Sequence, residues 1–382
     1  MNAAQMRELK QAAALLQADA RIVWPKQRAE DGGVLIVRVD AIGDYMLFRP
    51  ALQALRTVPS FAQERLVLCG NAVWQELAEA LDRKSFDAFI PVSRDAFRRD
   101  IRYRHGLLQE LHAQHFHCAV QPTFSRDYIG DSCIMAAAAS RAVGFDCPSQ
   151  NIQPRLLAFF NRCYTELVTP SNSLPFETER NWEFLTYLGA SCADKPAYQE
   201  AFPERLCIGL AASLRQFLGS PMLFMGASAP SKRWPAACFA QVARRVASMF
   251  DKKVLLTGGA DAANAIAVVE ETCGEAVVPL PETSLVELAA LLAHAPLVVS
   301  NDSLGAHMGA TWNVPTVIVA NGQHRGRFHP YPAEVAPRVR TVYPPACAIS
   351  SRNLYYADAP YPIEDVPVAA VFEAMEAVLA ID

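Results

Sequence analysis

VLIVRVDAIGDYMLFRPALQALR, residues 34–56, decides the fold class. Its opening residues, 34–39, form a short apolar run rich in β-branched side chains, the pattern of a parallel strand covered on both faces. A tight turn carrying Asp40 and Asp44 comes next, and then a helical pattern. Gly43 suits the backbone of a sharp turn, and Asp44 stands where the helix begins, where free N–H groups and the positive dipole end hold a carboxylate. Ligands of open α/β sheets bind at such strand ends, so the turn nominates a base, with Asp40 and Asp44 as candidates. An ordinary strand-to-helix connection with an N-capping Asp fits the same residues. A dinucleotide loop does not, because no G-x-G-x-x-G is present and two carboxylates would repel a pyrophosphate. A nucleotide is therefore expected elsewhere in the chain.

The chain has 382 residues, long for one domain and comfortable for two, and its 52% hydrophobic content is ample for two cores. A formal net charge of -4 gives no global drive toward nucleic acid, so no nucleic-acid partner is expected and basic surfaces must be local. Ten cysteines are scattered from Cys69 to Cys347 without a C-x-x-C pair, which fits reduced thiols in a cytosolic protein and argues against a disulfide framework or zinc knuckle. Residues 6–18 read as a mixed-charge helical extension that breaks at Pro25, and they lack the apolar core of a signal peptide. The alanine-rich run 134–139 is far shorter than the roughly 20 residues that span a bilayer. A soluble or at most peripheral protein is expected.

Alternation continues along the chain. Strands are expected over 65–69, 88–92 and 118–121, with a helix over 72–81. The segment SRDAFRRDIRYRH, residues 93–105, gathers Arg94, Arg98, Arg99, Arg102 and Arg104 into about three helical turns, either a solvated face or a basic surface for an acidic acceptor or anionic membrane. His112, His115 and His117 lack an acidic or Cys partner of matching geometry and are not expected to bind metal. A helix over 181–188 ends at Gly189, and a linker is read at 191–203. The second half starts afresh: strands over 222–225, 253–257, 297–300 and 316–320, and helices over 236–250, 285–293 and 368–380. Both halves are α/β with alternating elements, which predicts two doubly wound, Rossmann-like domains facing a cleft. The expected domains are 1–195 and 196–362, with the final helix in 363–382 crossing back to the first.

Three strand ends in the second half could meet a nucleotide. MGASAPSKRWP, residues 225–235, places Ser228 and Lys232 between a strand and a helix that tolerates Pro235 in its first turn. Lys232 could neutralise phosphate, or it is an ordinary surface lysine. Gly258-Gly259-Ala260-Asp261 puts a carboxylate where a ribose could be bound. VVSNDSLGAH, residues 298–307, sets Asp302 at a strand end, Ser303 at a helix start and His307 one turn later, so that Ser303, Leu304 and Gly305 could direct N–H groups at a phosphate. A plain capped core helix with a buried His307 fits that stretch too.

With these blocks in order the chain resembles the family 9 glycosyltransferases, typified by the ADP-heptose:lipopolysaccharide heptosyltransferases. The matching residues are VLIVRVDAIGD with PALQALR, GASAPSKRWP, LLTGGADAANA and LLAHAPLVVSNDSLGAHMGATWNVPTVIV. The resemblance implies the GT-B fold, an acceptor held mainly by the first domain and a nucleotide sugar, ADP-heptose, held mainly by the second. It implies inversion with Asp44 as general base, Lys232 on donor phosphate or sugar, Asp302 on the transferred sugar and the N–H groups of Ser303 to Ala306 on the diphosphate. Asp261 would lie near the ribose and Thr283 near the adenine, with Asp40 beside the acceptor. The acceptor would be a lipopolysaccharide core or related acidic glycan on a lipid anchor, met by Arg94, Arg98, Arg99 and Arg102 in the cytoplasm, with peripheral contact at the inner membrane. No cofactor and no metal are expected, because Lys232 and the helix N-terminus would stabilise the leaving diphosphate in a chain without a D-x-D motif. Another nucleotide sugar, a protein acceptor, or a binding module that has lost catalysis are the competing expectations. Leu304 departs from the family, which usually has glycine there; here Gly305 follows one position later. Residues 1–33 and 343–361 are not explained by these motifs.

Overall fold

The computed structural model describes residues 19, 32–171, 173–358 and 361–381; the helical extension expected over 6–18 and its break at Pro25 lie outside the described residues. The chain divides into two compact units. The first comprises 1–41, 48–172 and 179–196, and the second 42–47, 173–178 and 197–382.

In the first unit β1 (Val34–Arg38), β2 (Leu66–Asn71), β3 (Ala88–Val92), β4 (Cys118–Gln121), β5 (Arg141–Phe145) and β6 (Glu166–Val168) form one parallel sheet in the order β3-β2-β1-β4-β5-β6. Val34 stands opposite both Leu66 and Cys118, so β1 is a central strand. Every residue of β1 is buried, as its unbroken apolar run requires. Arg38 ends that run. Its guanidinium pairs with Asp40 at 2.7 Å, donates to Asn181 Oδ1 at 2.9 Å and stacks on the Phe48 ring at 4.7 Å.

The second unit repeats the winding. Its strands β7 (Met222–Phe224), β8 (Val254–Thr257), β9 (Val277–Pro279), β10 (Val298–Asn301), β11 (Thr316–Val319) and β12 (Val339–Val342) run in the order β12-β11-β10-β7-β8-β9, all parallel. In each unit the first strand therefore lies beside the fourth, and the order reverses at that gap. A ligand crevice opens at such a reversal, outside the carboxyl ends of the strands. In the second unit the reversal falls between β7 and β10, where Val298 faces Met222.

One expectation is revised. The arginine-rich segment is not one helix but two, Arg94–Arg99 and Ile101–Ala113, because Asp100 leaves the helical region and caps the second through the N–H groups of Arg102 and Tyr103. The last helix, Val368–Leu379, packs on the second sheet. Val371, Met375 and Val378, one apolar face at helical spacing, are buried in the core of the second sheet with Val317, Val319 and Val342, and Arg245 pairs with Glu376 at 3.3 Å. The helix is thereby held by the sheet that precedes it.

None of the ten cysteines is in a disulfide. Among the described residues no helix is long and apolar enough to cross a membrane. The packing of the last helix is tested by Met375→Ala, which should cost about 2–5 kcal/mol in urea unfolding of the second unit, whereas exposed Glu373→Ala should stay within about 0.5 kcal/mol.

Candidate active site

The loop after β7 is pinned from three neighbouring strand ends. Asn301, closing β10, donates to Met225 O at 2.7 Å and accepts from the Trp234 N–H at 3.1 Å. Asn321, just after β11, donates to Ser231 O at 2.9 Å. Asp261, after β8, accepts from the Ala227 N–H at 2.9 Å and pairs with Arg233 at 3.2 Å, and Arg233 also donates to Ala227 O. Gly258 makes that approach feasible, since a Cβ there would lie 2.5 Å from the Ala262 Cβ and 3.0 Å from the Gly226 nitrogen. The loop so held carries Lys232, in the short 3-10 turn Pro230–Lys232, to Asp302 Oδ2 at 2.6 Å. The cation of one strand end and the carboxylate of the next thus meet at the β7–β10 reversal.

Asp302 is buried, and burial works against its charge. His329 at 3.5 Å, Lys232 and His307 overcome that cost and hold its carboxyl well below the usual carboxylate range. Nδ1 of His329 is bonded to the Tyr343 hydroxyl at 2.8 Å.

His307 follows one turn later in the helix Leu304–Thr311. Its Nδ1 meets the Tyr331 hydroxyl at 2.6 Å, and Tyr331 reaches Tyr198 at 3.2 Å. Burial lowers the His307 pKa despite the nearby charges of Asp302 and Asp44, while burial and then Tyr198 raise that of Tyr331 far above its ordinary value. Imidazole and phenol are therefore both neutral at neutral pH. Across from the ring stands Gly43: a Cβ there would lie 2.6 Å from His307 Cδ2 and 3.1 Å from Nε2. Gly43 is required by this close packing and not by a sharp turn, since it is the second residue of the helix Ile42–Ala54.

Asp44 is the third residue of that helix, in its first turn; Ala41 occupies the cap position, so the capping role read from the sequence is not observed. Residues 42–47 group with the second unit, where Leu47 packs against Phe176, Tyr198, Ala306 and Tyr331. The charge of Asp44 acts on His307 and also on buried Arg327, whose pKa burial lowers but Glu177, at 2.7 Å, and Asp44 raise on balance.

The remaining expected residues are spread more widely. Ser303 caps its helix without a side-chain hydrogen bond, so it supplies no acceptor to the first-turn N–H groups. Gly305 serves packing, because a Cβ there would enter the Phe224 ring at 2.3 Å, and Ala306 is buried. Ser228 is exposed; Leu304 is half-buried, as is Thr283, which precedes the Ser284–Glu287 capping box. In the first unit Asp40 is paired with Arg38 and its carbonyl accepts from Asn71 and Trp74. Arg94 is bound to Asp127 and to Val39 O, both at 2.7 Å. Arg98, Arg99 and Arg102 are exposed, while Arg104 is buried over Phe97 and Tyr128. His112 bonds to Ala136 O and His117 lies 3.9 Å from Glu64, so the three histidines do not converge. Sequence reasoning missed Asn301, Asn321, Glu177, Arg327, His329 and Tyr331. The run HRGRFHPYP, residues 324–332, dense in cations and aromatics after a strand, was the available signal.

Two doubly wound units, each built on a parallel six-stranded sheet, give the chain the GT-B fold. The model of Glycosyltransferase family 9 (heptosyltransferase) matches residues 194–341. Solved structures of similar fold include a glycosyl transferase family 9 from Veillonella parvula, with TM-score 0.69, 17% identity, and 94% of this chain and 100% of that chain covered. ADP-heptose lps heptosyltransferase II of E. coli gives 0.63 and 19%, covering 91% and 98%. Heptosyltransferase WaaC of E. coli, solved with ADP, gives 0.66 and 18%, covering 90% and 99%. No curated protein matches the sequence.

The pKa directions fix a pH dependence. His307 and Asp302 both have folded values below their ordinary ones, so their contribution is present above the unfolded values, 6.5 and 3.8, and is lost as pH falls through the folded values. Thermal unfolding midpoints should therefore fall on acidification below about pH 6.5, and less steeply in His307→Gln; equal slopes would contradict the assignment.

Proposed function

We propose that the protein is an inverting, metal-independent transferase that moves a heptose from ADP-heptose to a lipopolysaccharide core or related acidic glycan. The observation carrying this reading is the 2.6 Å Lys232–Asp302 pair beside the start of the helix Leu304–Thr311, in the same unit as Asp44. Inversion in one step needs a base on the acceptor hydroxyl and charge stabilisation on the leaving diphosphate. Asp44 takes the hydroxyl proton as the new bond forms at the anomeric carbon and the bond to the diphosphate oxygen breaks. Lys232 and the first-turn N–H groups meet the charge that develops on the diphosphate, which is the work a metal ion would otherwise do. Asp302 keeps Lys232 aimed and stands at the transferred sugar. Neutral His307, held by Tyr331, packs against Gly43 and orients the turn that carries Asp44. Exposed Arg98, Arg99 and Arg102 supply the charge for an acidic, lipid-linked acceptor, which would bring the protein to the cytoplasmic face of the inner membrane.

Titration with ADP, UDP and GDP tests the donor. ADP should bind at least about tenfold more tightly than the others, a difference of about 1.4 kcal/mol, and a preference for UDP or GDP would remove ADP-heptose. Transfer to a truncated lipopolysaccharide by Asp44→Asn tests the base: turnover should fall about a hundred- to ten-thousand-fold with ADP affinity kept. Unchanged turnover would remove Asp44 from that role.

A further inference from the structure

Three metal-ligating side chains converge in the second unit, none of them used by the site above. Glu204 and Cys207 are one turn apart on the short helix Glu204–Ile208, and His294 ends the helix Leu285–Ala293. His294 Nε2 lies 3.6 Å from Glu204 Oε1 and 3.8 Å from Cys207 Sγ, and one ligand atom from each residue falls within 4.8 Å of the others. Ligands at about 2.0–2.3 Å from one tetrahedral ion stand roughly 3.3–3.7 Å apart, close to the two His294 distances.

The imidazole is prepared for this role. Nδ1 of His294 lies 2.9 Å from Ala290 O, and a carbonyl only accepts, so Nδ1 carries the proton and Nε2 keeps its lone pair, 3.6 Å from Glu204, while Cys207 Sγ stands beside the ring at 3.7 Å from Nδ1 and 3.8 Å from Nε2. A histidine ligand whose other nitrogen donates to a backbone carbonyl is the usual arrangement at metal sites. Phe202 packs against the imidazole edge-on at 6.4 Å. Arg215 donates to the carbonyls of Ile208 and Leu210, both at 3.0 Å, and so fixes the chain just after Cys207. A cavity of about 400 Å³ lined by Glu204, Cys207, Ile208 and Arg215 leaves room for a water.

We propose that Glu204, Cys207 and His294 bind a divalent ion of the zinc class, with a water in the adjoining cavity as fourth ligand, clamping the helix Glu204–Ile208 to the end of Leu285–Ala293. Binding forms bonds from the ion to the thiolate sulfur, Nε2 and a carboxylate oxygen. The Cys207 proton leaves to solvent, and no atom changes oxidation state. The ion takes no part in the proposed transfer.

The test is a Co2+ titration of the full-length, chelator-treated protein. One equivalent should produce the visible bands of tetrahedral cobalt and a thiolate-to-cobalt charge-transfer band, both removed by Zn2+, and Zn2+ should raise the thermal midpoint. Cys207→Ser should abolish the charge-transfer band, and Glu204→Gln, at an exposed position, should weaken binding about tenfold or more without loss of folding. Cys192→Ser, exposed in the first unit, should leave the band intact. Absence of the band in the native chain, or its survival in Cys207→Ser, would overturn the proposal.

Discussion

The pair between Lys232 and Asp302, at 2.6 Å, is the contact around which the second unit is organised. Their side chains are 13% and 6% exposed, so neither charge would be tolerated alone, and removing one partner of such a pair costs about 3–5 kcal/mol. The requirement explains the surrounding architecture. A lysine on a loop reaches a buried carboxylate reproducibly only if the loop is rigid. Asn301, Asn321 and Asp261, each just past or at the end of a parallel strand, provide that rigidity through backbone hydrogen bonds. The strand order brings these ends together because β10 returns beside β7.

The same carboxylate links the pair to Asp44. Asp302 acts on His307, His307 is packed on Gly43, and Asp44 is the next residue. A neutral imidazole and the buried Arg327–Glu177 pair thus surround the first turn of the helix that begins at Ile42. Residues 42–47 belong to the second unit for that reason: Leu47 and Gly43 find their partners there, although the strand that precedes them belongs to the first sheet. Asp44 and the Lys232–Asp302 pair thus lie in the same unit.

Much of the fold was legible from periodicity. β3 and β4 and the helices Ala236–Phe250 and Leu285–Ala293 fall at the residues their patterns predict. β5, β6, β9 and β12 escaped because they are three to five residues long and broken by Arg141, Glu166, Pro279 or Arg340, so no apolar run marks them. In the site, Lys232, Asp302 and His307 were legible as polar residues at strand ends. His329, Tyr331 and Tyr343 were not, since they reach the site from irregular chain or from after a short strand, where spacing carries no directional signal. Gly43 read as a turn residue, yet it makes room for the His307 ring, and Gly305 likewise makes room for the Phe224 ring, long-range facts that local sequence does not encode.

The most direct measurement is a double-mutant cycle on ADP affinity with Lys232→Met, Asp302→Asn and the combined variant, folding being checked by circular dichroism. Lys232→Met should weaken ADP binding by at least about tenfold, or 1.4 kcal/mol, and the two changes should be non-additive, because Asp302 acts on the nucleotide through the lysine it holds. ADP affinity equal to that of the native chain in a folded Lys232→Met variant would contradict the account.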